Sequence, residues 1–394
     1  MNVVARLRRS NLRKNLNYTF VTAFAAACLA IFLIPFLYMI FSSLKTHAQM
    51  TALNAPIWPS LNPRYTFKGE NTGTYTFQVN KNGTLTPLIV NMKDYAGKAM
   101  DIYTVPLENG TKKNLALVEG FTHYAIFMDP QNPSAAPVLW QGVNGNGGYF
   151  KTLPIPWVFS PTWSNFSHVW NLTSPGSSGV FRLFPVALLN TFFYAFSTTI
   201  GVLISCTLVA FGFSRFRFPG RDFWFVVLIS TIFLPGTVTV IPTFTFFFKI
   251  GWVGTWLPLI VPSFFANAYD TFLLRQFFMT LPRELDEAAM IDGASPFRVL
   301  WSVIIPQSYA ALVAVTIFHV VYTWNDYFGP FIYLTTRPQS QPVSVALARF
   351  NYMYGSDPQY IQAGALITIA LPLLIFVLAQ RFFVQGIVIT GVEK

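Results

Sequence analysis

Two groups of polar side chains lie within long apolar segments and are the best candidates for binding chemistry. They are Asn267, Tyr269 and Asp270 in one segment, and Trp324, Asn325 and Asp326 in another. Polar groups are costly in lipid, so their presence inside apolar segments indicates function. Amides and carboxylates hydrogen-bond hydroxyl groups, and an aromatic ring can stack on a sugar. The two groups are therefore candidates for contact with a polar ligand.

Structural roles compete with this interpretation. For Asp270, a structural role is as well supported as a role in binding. It could form an ion pair, for example with Arg275, or act as an anchor at the membrane interface. Asn190 opens another apolar segment, where an interhelical hydrogen bond is favoured over ligand binding.

The sequence predicts no catalytic residues, no metal and no bound cofactor. It contains no Gly-x-x-x-x-Gly-Lys-Ser/Thr loop, because the AGKAM run around Gly97 lacks the first glycine and the hydroxyl residue. His123 and His168 do not have metal-ligand spacing. Both cysteines, Cys28 and Cys206, lie in apolar runs, which argues against a disulfide framework. Any energy for transport must therefore come from a separate subunit.

Composition places these residues in a membrane protein. Of 394 residues, 53% are hydrophobic and 10% are charged, whereas soluble domains carry about 25% charged residues. The net charge of +11 comes from basic residues clustered in short loops beside apolar runs. That pattern sets membrane orientation and gives no reason to expect a nucleic-acid partner.

Six apolar segments are long enough to cross a bilayer, which takes about 20 helical residues. They are Phe20 to Phe41, Phe184 to Phe211, Phe223 to Phe247, Trp256 to Phe278, Ser308 to Tyr333 and Ala363 to Phe383. The first is too long for the apolar core of a signal peptide, so we expect a retained anchor. Four prolines are expected to kink the spans: Pro235, Pro242, Pro262 and Pro372.

Basic residues predict the orientation of the spans. They are concentrated before the first span, after the second and in the loop after the fourth. These three loops share one side if there are six spans, so both termini are predicted to be cytoplasmic. The expected organisation is a cytoplasmic segment 1–18, a first span 19–45, an extracytoplasmic segment 46–182, spans two to six over 183–384, and a cytoplasmic tail 385–394.

The segment 46–182 is predicted to contain a mainly β domain with its core at about 54–154, followed by a looped tether. In TGTYTFQVN, Tyr75, Phe77 and Val79 alternate with Thr74, Thr76 and Gln78, as in a strand with one buried face. HYAIFMD and PVLWQGV look similar, and turn signals in KNG, ENG and NGNGG separate such runs. Four tryptophans, Trp140, Trp157, Trp163 and Trp170, are expected mainly to form the core, with stacking on sugars as the alternative.

The stretch EAAMIDGASPFRVLW, Glu287 to Trp301, predicts a helical hairpin in the cytoplasmic loop 280–306. Thr280 is expected to cap a helix that ends at Gly293 in the left-handed conformation. Ser295 and Pro296 then start a second helix. Small residues at the corner would let another protein approach closely.

Several segments resemble permease subunits of bacterial ABC importers, specifically the carbohydrate branch with MalG-like subunits. They are the EAA signature with its following DGA and Pro306, YDTFLLRQFF, WNDYFGP and the closing QGIVITGVEK. The resemblance covers the first span and nearly everything after about Asn165. One departure is Ala310, where relatives usually carry a second proline. MalG-like subunits also usually have a short loop where this chain has residues 54–154, and an inserted domain there resembles the partner permease of the maltose system.

The resemblance implies a fold, partners and roles for residues. The fold would be the α-helical, polytopic type I permease fold with six transmembrane helices and an inserted mainly β domain, in the bacterial inner membrane. The hairpin would be the coupling helix that docks on a separate ATPase dimer, which uses ATP and Mg²⁺. Its residues would be Glu287, Ala288, Ala289, Asp292, Gly293, Ala294 and Pro306, while Asn325 and its neighbours would lie where sugars are contacted.

Further partners follow from the same resemblance: a second, MalF-like permease, a solute-binding protein and a sugar, for example maltose or a maltodextrin. The inserted domain would contact the binding protein or the second permease, with a passive insert as the alternative. Glycerol phosphate is an alternative solute. A stand-alone secondary transporter would usually show internal repeats or intramembrane ion-coupling charges. A membrane-anchored binding or scaffold protein would leave five further spans unexplained.

Overall fold

The computed structural model describes residues 2–81, 84–107, 110–121, 124–141, 149–176, 179–352 and 355–388. The chain divides into two compact units. The first comprises Met1–Phe166 with Asp357–Ala363, and the second comprises Ser167–Ser356 with Gly364–Lys394. Parts of the predicted turns KNG, ENG and NGNGG, His123 and the end of the closing segment lie outside the described residues.

The first unit begins with one long helix, α1, Asn2–Ser43. Its portion Tyr18–Ser43 is long and apolar enough to cross a membrane. A short helix α2, His47–Thr51, follows, with the Thr46 side chain accepting a hydrogen bond from the amide of Gln49. The predicted first span is therefore part of a helix that starts well before it.

The rest of the first unit is built from antiparallel strands, as predicted. The strands are β1 Ser60–Leu61, β2 Arg64–Thr66, β3 Thr74–Lys81, β4 Thr84–Asn91, β5 Ala99–Pro106, β6 Lys112–Gly120, β7 Tyr124–Met128, β8 Val138–Gln141 and β9 Val158–Phe159. Five of them form one sheet in the order β2-β5-β6-β7-β8, while β3 pairs with β4 and β1 pairs with β9.

The β core follows the alternation seen in the sequence. Val79 is buried in β3 and pairs across the hairpin with Thr86, while Tyr75 and Phe77 are half-buried. Tyr75 and Phe77 pack against a cluster of fully buried side chains that includes Phe67 and Ile126. Thr74, Thr76 and Gln78 are exposed on the other face, as predicted.

Two predictions for this region are wrong. The segment after Pro154 is not simply a looped tether, because β9 pairs with β1 at the start of the region. The assignment of all four tryptophans to the core also fails. Trp140 and Trp157 are half-buried, but Trp163 and Trp170 are exposed.

The second unit is mainly helical. Its elements are α3 Ser164–Asn171, β10 Thr173–Gly176, β11 Gly179–Arg182, α4 Leu183–Arg215, α5 Arg221–Ser230, α6 Gly236–Lys249, α7 Leu257–Ile260, α8 Ala268–Thr280, α9 Glu284–Ile291, α10 Pro296–Val299, α11 Ile305–Gln307, α12 Tyr309–Asn325, α13 Phe328–Tyr333, α14 Val343–Ala348, β12 Asn351–Tyr352 and β13 Gly355–Ser356. Helix α3 starts in the first unit, and α15, Pro358–Val388, has residues in both.

Within the described residues, four helices are long and apolar enough to span a membrane, and two bent pairs could raise the number to six. The pair Arg221–Phe233 and Gly236–Lys249 is bent by 97°, and the pair Pro296–Gln307 and Tyr309–Asn325 by 80°. Pro235 lies at the first bend, as expected, because proline cannot continue the hydrogen-bond ladder. Pro242 and Pro372 lie inside continuous helices instead.

Two of the predicted spans contain local breaks, although Leu257–Thr280 is still one of the four segments long and apolar enough to cross a membrane. The segment Trp256 to Phe278 divides into α7, a 3₁₀ turn at Val261–Phe264 that contains Pro262, and α8. The segment Ser308 to Tyr333 contains a helix that ends at Asn325 and a second one, α13. A hydropathy window averages over such breaks, which is why the sequence predicted single spans.

Helix α4 is the centre of the second unit. Cys206 and Phe211 lie in a buried cluster with Phe278 of α8 and Val315 of α12. Gly201 allows the 3₁₀ turn to approach closely, since a side chain there would lie 3.0 Å from the backbone of Ser263. The candidate functional residues are positioned by their contacts with this helix.

Candidate functional site

The predicted hairpin is present, and its corner is closed by local backbone hydrogen bonds. Gly293 follows α9 with a φ of 80°, the left-handed conformation that glycine adopts without strain. Its amide donates to the carbonyl of Met290, and the amide of Ala294 donates to the carbonyl of Ala289. These two bonds form a Schellman motif, so this stretch specifies its own turn.

The second helix starts as predicted, but the first does not. Ser295 accepts a hydrogen bond from the amide of Arg298 and has Pro296 as its first helical neighbour. Thr280, however, is the last residue of α8, and its hydroxyl donates to the carbonyl of Phe277. Helix α9 starts four residues later, at Glu284.

The exit from the hairpin contains a π-helical turn, Leu300–Ile304. Leu300 and Ile304 are buried in the cluster around α4. Pro306 is exposed in the short helix α11, and the bend of 80° follows at Ser308. Short π-helical turns occur frequently at functional sites in proteins.

An ion pair attaches the hairpin to α4. Arg215 Nε lies 2.9 Å from Asp286 Oδ2, and the two side chains are only 8% and 11% exposed. Arg215 Nη2 also donates to the carbonyl of Leu281. Burial raises the pKa of the Asp286 carboxyl above its ordinary value, although Arg215 and Arg283 act in the opposite direction. The hairpin is therefore held at the end of α4 by charges that are largely withdrawn from water.

The outer surface of the hairpin is exposed and partly apolar. Ile291, just before the corner, is 86% exposed, and Met290 is half exposed. Glu287, Ala288 and Asp292 are also exposed, while Ala289 and Ala294 are half-buried. A recess of about 190 Å³ borders the hairpin and is lined in part by Phe211, Arg283 and Pro296. This combination of an apolar tip with small and acidic neighbours is suited to contact with another protein.

The group around Trp324 serves partly as structure. Asp326 Oδ2 accepts a hydrogen bond of 2.8 Å from the Tyr194 hydroxyl, and its Oδ1 accepts from the amide of Gly329. Trp324 is buried edge-to-face against Phe192, and its indole N–H has no partner among the described residues.

Asn325 differs from its neighbours in this group. It is exposed, and its amide donates to the carbonyl of Val321 one helical turn earlier. It is the member of this group that is most available to a solute.

In the group around Asp270, the side-chain amide of Asn267 donates to Asp270 Oδ2 at 2.7 Å. The backbone amide of Asp270 donates in return to Asn267 Oδ1. This reciprocal pair caps the start of α8. Arg275 does not pair with Asp270, because its guanidinium bonds the carbonyl of Phe213 and lies 4.0 Å from the centre of the Phe225 ring. Tyr269 is exposed.

The two groups contact α4 at different levels. Tyr194 bonds Asp326, whereas Cys206 lies 3.7 Å from the amide nitrogen of Asn267. These two α4 residues are 12 positions apart, which corresponds to about 18 Å along a helix. The predicted residues therefore do not form one compact site.

Asn190 has a structural role, as the sequence favoured, but the predicted interhelical bond is replaced by bonds to the short 3₁₀ turn Pro338–Ser340 and the residue after it. Its amide donates to the carbonyls of Gln339 and Gln341. Arg215 and Tyr194, the partners of Asp286 and Asp326, could not be predicted from the sequence, because each lies at least 71 positions from its partner and no local pattern connects them.

No group of three His, Cys, Asp or Glu side chains within the described ranges could hold a metal ion.

Comparisons with known proteins place these features in context. The family described as binding-protein-dependent transport system inner membrane component matches residues 197–388. The sn-glycerol-3-phosphate transport system permease protein UgpE of Yersinia pestis bv. Antiqua (strain Antiqua) is 36% identical over 229 residues, covering 57% of this chain and 79% of the relative. The protein of the same name from Brucella melitensis biotype 1 is 36% identical over 205 residues, covering 52% and 72%.

The fold is also similar to a solved structure. A chain of a bacterial ABC transporter involved in the import of the acidic polysaccharide alginate aligns with a TM-score of 0.51 and 23% identity. The alignment covers 61% of this chain and 85% of that chain.

Proposed function

Because this chain belongs to the family of binding-protein-dependent transport system inner membrane components, we propose that it is the translocation subunit of an ATP-driven sugar importer. As a helical membrane permease of the ABC importer type, it would move a solute by alternating access. The finer architecture that we propose has six spans, cytoplasmic termini and an inserted, extracytoplasmic β domain. ATP hydrolysis would reside in a separate dimer of ATPase subunits.

The observation that carries this proposal is the hairpin formed by α9, Gly293 and α10. Its corner is fixed by the Schellman motif, and it is anchored to α4 through the buried pair of Arg215 and Asp286. A displacement of the hairpin by a bound ATPase would therefore be transmitted to α4. The predicted coupling residues, Glu287 to Ala294, lie on or beside the exposed surface of this hairpin.

The other proposed partners are a second, MalF-like permease and an extracytoplasmic binding protein. ATP binding would close the ATPase dimer and open the cavity outward, and hydrolysis would restore the inward state. Asn325 and Tyr269 are the exposed members of the predicted pathway and would contact the solute.

The proposed solute is a neutral sugar such as maltose or a maltodextrin. The predicted pathway residues offer amides, carboxylates and aromatic rings, which suit hydroxyl groups and sugar faces. None of the six carries a positive charge. The second candidate is glycerol phosphate, which is favoured by the names of the relatives from Yersinia and Brucella.

A first experiment tests the subunit composition and the solute. The tagged chain is purified from its native membrane in mild detergent, and its partners are identified by mass spectrometry. We expect an ATPase, a second permease and a binding protein, and ATP-dependent uptake of a maltodextrin by the reconstituted complex. Uptake of glycerol phosphate alone would refute the sugar but retain the importer. Uptake by the chain by itself without ATP would refute the importer.

A second experiment tests the docking role of the hairpin. Ile291→Asp places a charge at the most exposed apolar position of the tip and should abolish co-purification of the ATPase while leaving membrane insertion intact. The control is Ile89→Asp in β4, where the isoleucine is 66% exposed but remote in sequence from the hairpin. If both variants retain the ATPase equally well, the hairpin is not the docking element.

A further inference from the structure

Exposed apolar side chains of the first unit gather close to the end of α1. We call them the basal collar, and they are Leu53, Ile57, Trp58, Leu61, Val158, Phe159 and Trp163. Phe159 and Trp163 are 68% and 67% exposed. Single exposed apolar residues are ordinary on protein surfaces, but a contiguous group marks a contact surface.

The two chain segments of the collar are joined to each other by backbone hydrogen bonds. Strand β1 pairs with β9, so that Leu61 lies opposite Val158. The amide of Ser160 also donates to the carbonyl of Pro59, next to Trp58. Residues 53–61 and 158–163 therefore run side by side, with Val158 and Phe159 on opposite sides of the short two-stranded ribbon.

Hydrogen bonds attach the collar to the end of the apolar part of α1. The amide of Thr162 donates to the carbonyl of Leu44 at 2.8 Å, which places Trp163 beside the last turn of the helix. The buried side-chain amide of Asn165 donates to the carbonyls of Ser43 and Lys45. Phe159 lies three residues before Thr162, at most about 11 Å along the chain.

The second segment of the collar is attached in the same way. Gln49, six residues after the end of α1, uses its side-chain amide to bond the carbonyls of Pro56 and Trp58, and its side-chain oxygen accepts from the amide of Ser60. Gln49 is almost fully buried, so these bonds are shielded from water. Both segments are thus held next to the end of the apolar part of α1.

The two collar segments lack charged residues and contain several aromatic ones, which favours lipid as their surroundings. Residues 52–63 and 152–166 contain no Asp, Glu, Lys or Arg, in a unit whose strands carry charges elsewhere. Tryptophan and other amphipathic aromatics concentrate at the membrane–water interface. At the end of α1, the ammonium of Lys45 lies 6.0 Å from the centre of the Tyr38 ring. Lysine and tyrosine both have an apolar body and a polar end, so this pair also suits the membrane–water interface.

We propose that the basal collar is a membrane-seating surface, inserted at the boundary between headgroups and acyl chains of the leaflet in which α1 ends. The occupant is phospholipid, because the surface is charge-free, aromatic and continuous with the lipid-exposed end of α1. The collar would fix the height of the β strands above the membrane. The inference is independent of the transported solute.

The test uses nitroxide labels on the full chain in vesicles of phosphatidylethanolamine and phosphatidylglycerol. Cys28→Ala and Cys206→Ser remove the two native thiols, and a single cysteine is then introduced by Phe159→Cys or Trp163→Cys. Collision of the label with oxygen, which concentrates in lipid, is compared with collision with a water-soluble nickel chelate.

Matched positions calibrate the measurement. Phe24→Cys lies in the exposed apolar part of α1, and Thr76→Cys lies on the exposed face of β3. We expect the ratio of oxygen to nickel collisions at both collar positions to approach that of Phe24→Cys and to exceed that of Thr76→Cys several-fold.

Two results would overturn the proposal. Ratios equal to that of Thr76→Cys would place the collar in water. Low collision rates with both reagents would instead show that protein covers it, either another part of this chain or a second copy. The four labelled positions are exposed, so the label itself should leave the fold intact; because Cys206 is buried, an unchanged elution volume in gel filtration checks that its replacement also preserves the fold.

Discussion

Removal of one partner from the pair of Arg215 and Asp286 should release the hairpin from α4. Asp286→Ala would leave the guanidinium of Arg215 buried and without its counter-charge, since that side chain is only 8% exposed. The carbonyl of Leu281 would be its one remaining described hydrogen-bond partner. The structure therefore predicts local loosening of α9, while the transmembrane core remains packed.

The size of this effect follows from the geometry. Unit charges separated by 2.9 Å attract by about 6 kcal/mol at an effective dielectric constant of about 20. Desolvation offsets much of this attraction, and breaking a buried pair by removing one partner typically costs about 3–5 kcal/mol. Because about 1.4 kcal/mol corresponds to a factor of ten, local opening of the hairpin should become at least about 100-fold more frequent.

Hydrogen exchange followed by mass spectrometry on the full chain in nanodiscs measures this opening directly. Amides within Glu284–Ile291 should lose protection in Asp286→Ala. The control is Glu284→Ala, which removes an exposed carboxylate from the same helix and should cost only about 0.3–1 kcal/mol through the helix dipole. Sugar uptake by the reconstituted complex should fall in the first variant and change little in the second.

A double variant separates the ion pair from other effects of the substitution. Replacement of both partners by apolar residues, Arg215→Met with Asp286→Leu, leaves no unpaired charge and should restore most of the protection. If Asp286→Ala retains the protection of the native chain, or if the double variant is as unprotected as the single one, the ion pair does not anchor the hairpin.

Three further predictions concern other parts of the chain. Gly293→Val should strain the left-handed corner by about 1–2 kcal/mol and abolish both assembly with the ATPase and uptake. Asparagine tolerates that conformation, so Gly293→Asn should retain most of the assembly. Equal loss in the two variants would exclude backbone strain as the cause. Burial raises the pKa of Asp129, but the Lys113 ammonium and backbone amides outweigh it and hold the pKa below its ordinary value. The pair of Lys113 and Asp129 therefore contributes stability above about pH 4, and this stability is lost as the pH falls further. Below about pH 4, the urea concentration at the midpoint of unfolding of the β strands, measured by limited proteolysis, should decrease in the native chain. It should decrease less in Asp129→Asn. Asp326→Ala should lower the melting temperature of the full chain in detergent, because it leaves the Tyr194 hydroxyl and the amide of Gly329 without their acceptor. Asp326→Asn should lower the melting temperature less. If neither variant changes the melting temperature, this carboxylate has no structural role and serves only in solute contact.

Local signals explain what could be predicted from the sequence. The alternation around Tyr75 and the glycine corner at Gly293 depend on neighbouring residues, so both appear in the structure. Asn267 and Asp270 also form a local capping pattern, but a window of 20 residues averaged over the break before α8 and concealed it. The pairs of Arg215 with Asp286 and of Tyr194 with Asp326 depend on packing between distant helices, and no spacing in the sequence indicates them.

The bend of 97° between α5 and α6 restricts what can surround it. The amide of Val238 donates to the carbonyl of Pro235, but Pro235 provides no side-chain cap, so the amides of Gly236 and Thr237 lack partners within the helix. The side chains from Thr231 to Val238 are all exposed in the isolated chain. Hydrocarbon cannot solvate free backbone groups, whether the bent pair crosses the bilayer or returns as a re-entrant loop. At hydrocarbon depth, this bend would therefore need water in a cavity or the polar groups of a neighbouring subunit against it, and acyl chains could not be its permanent surroundings.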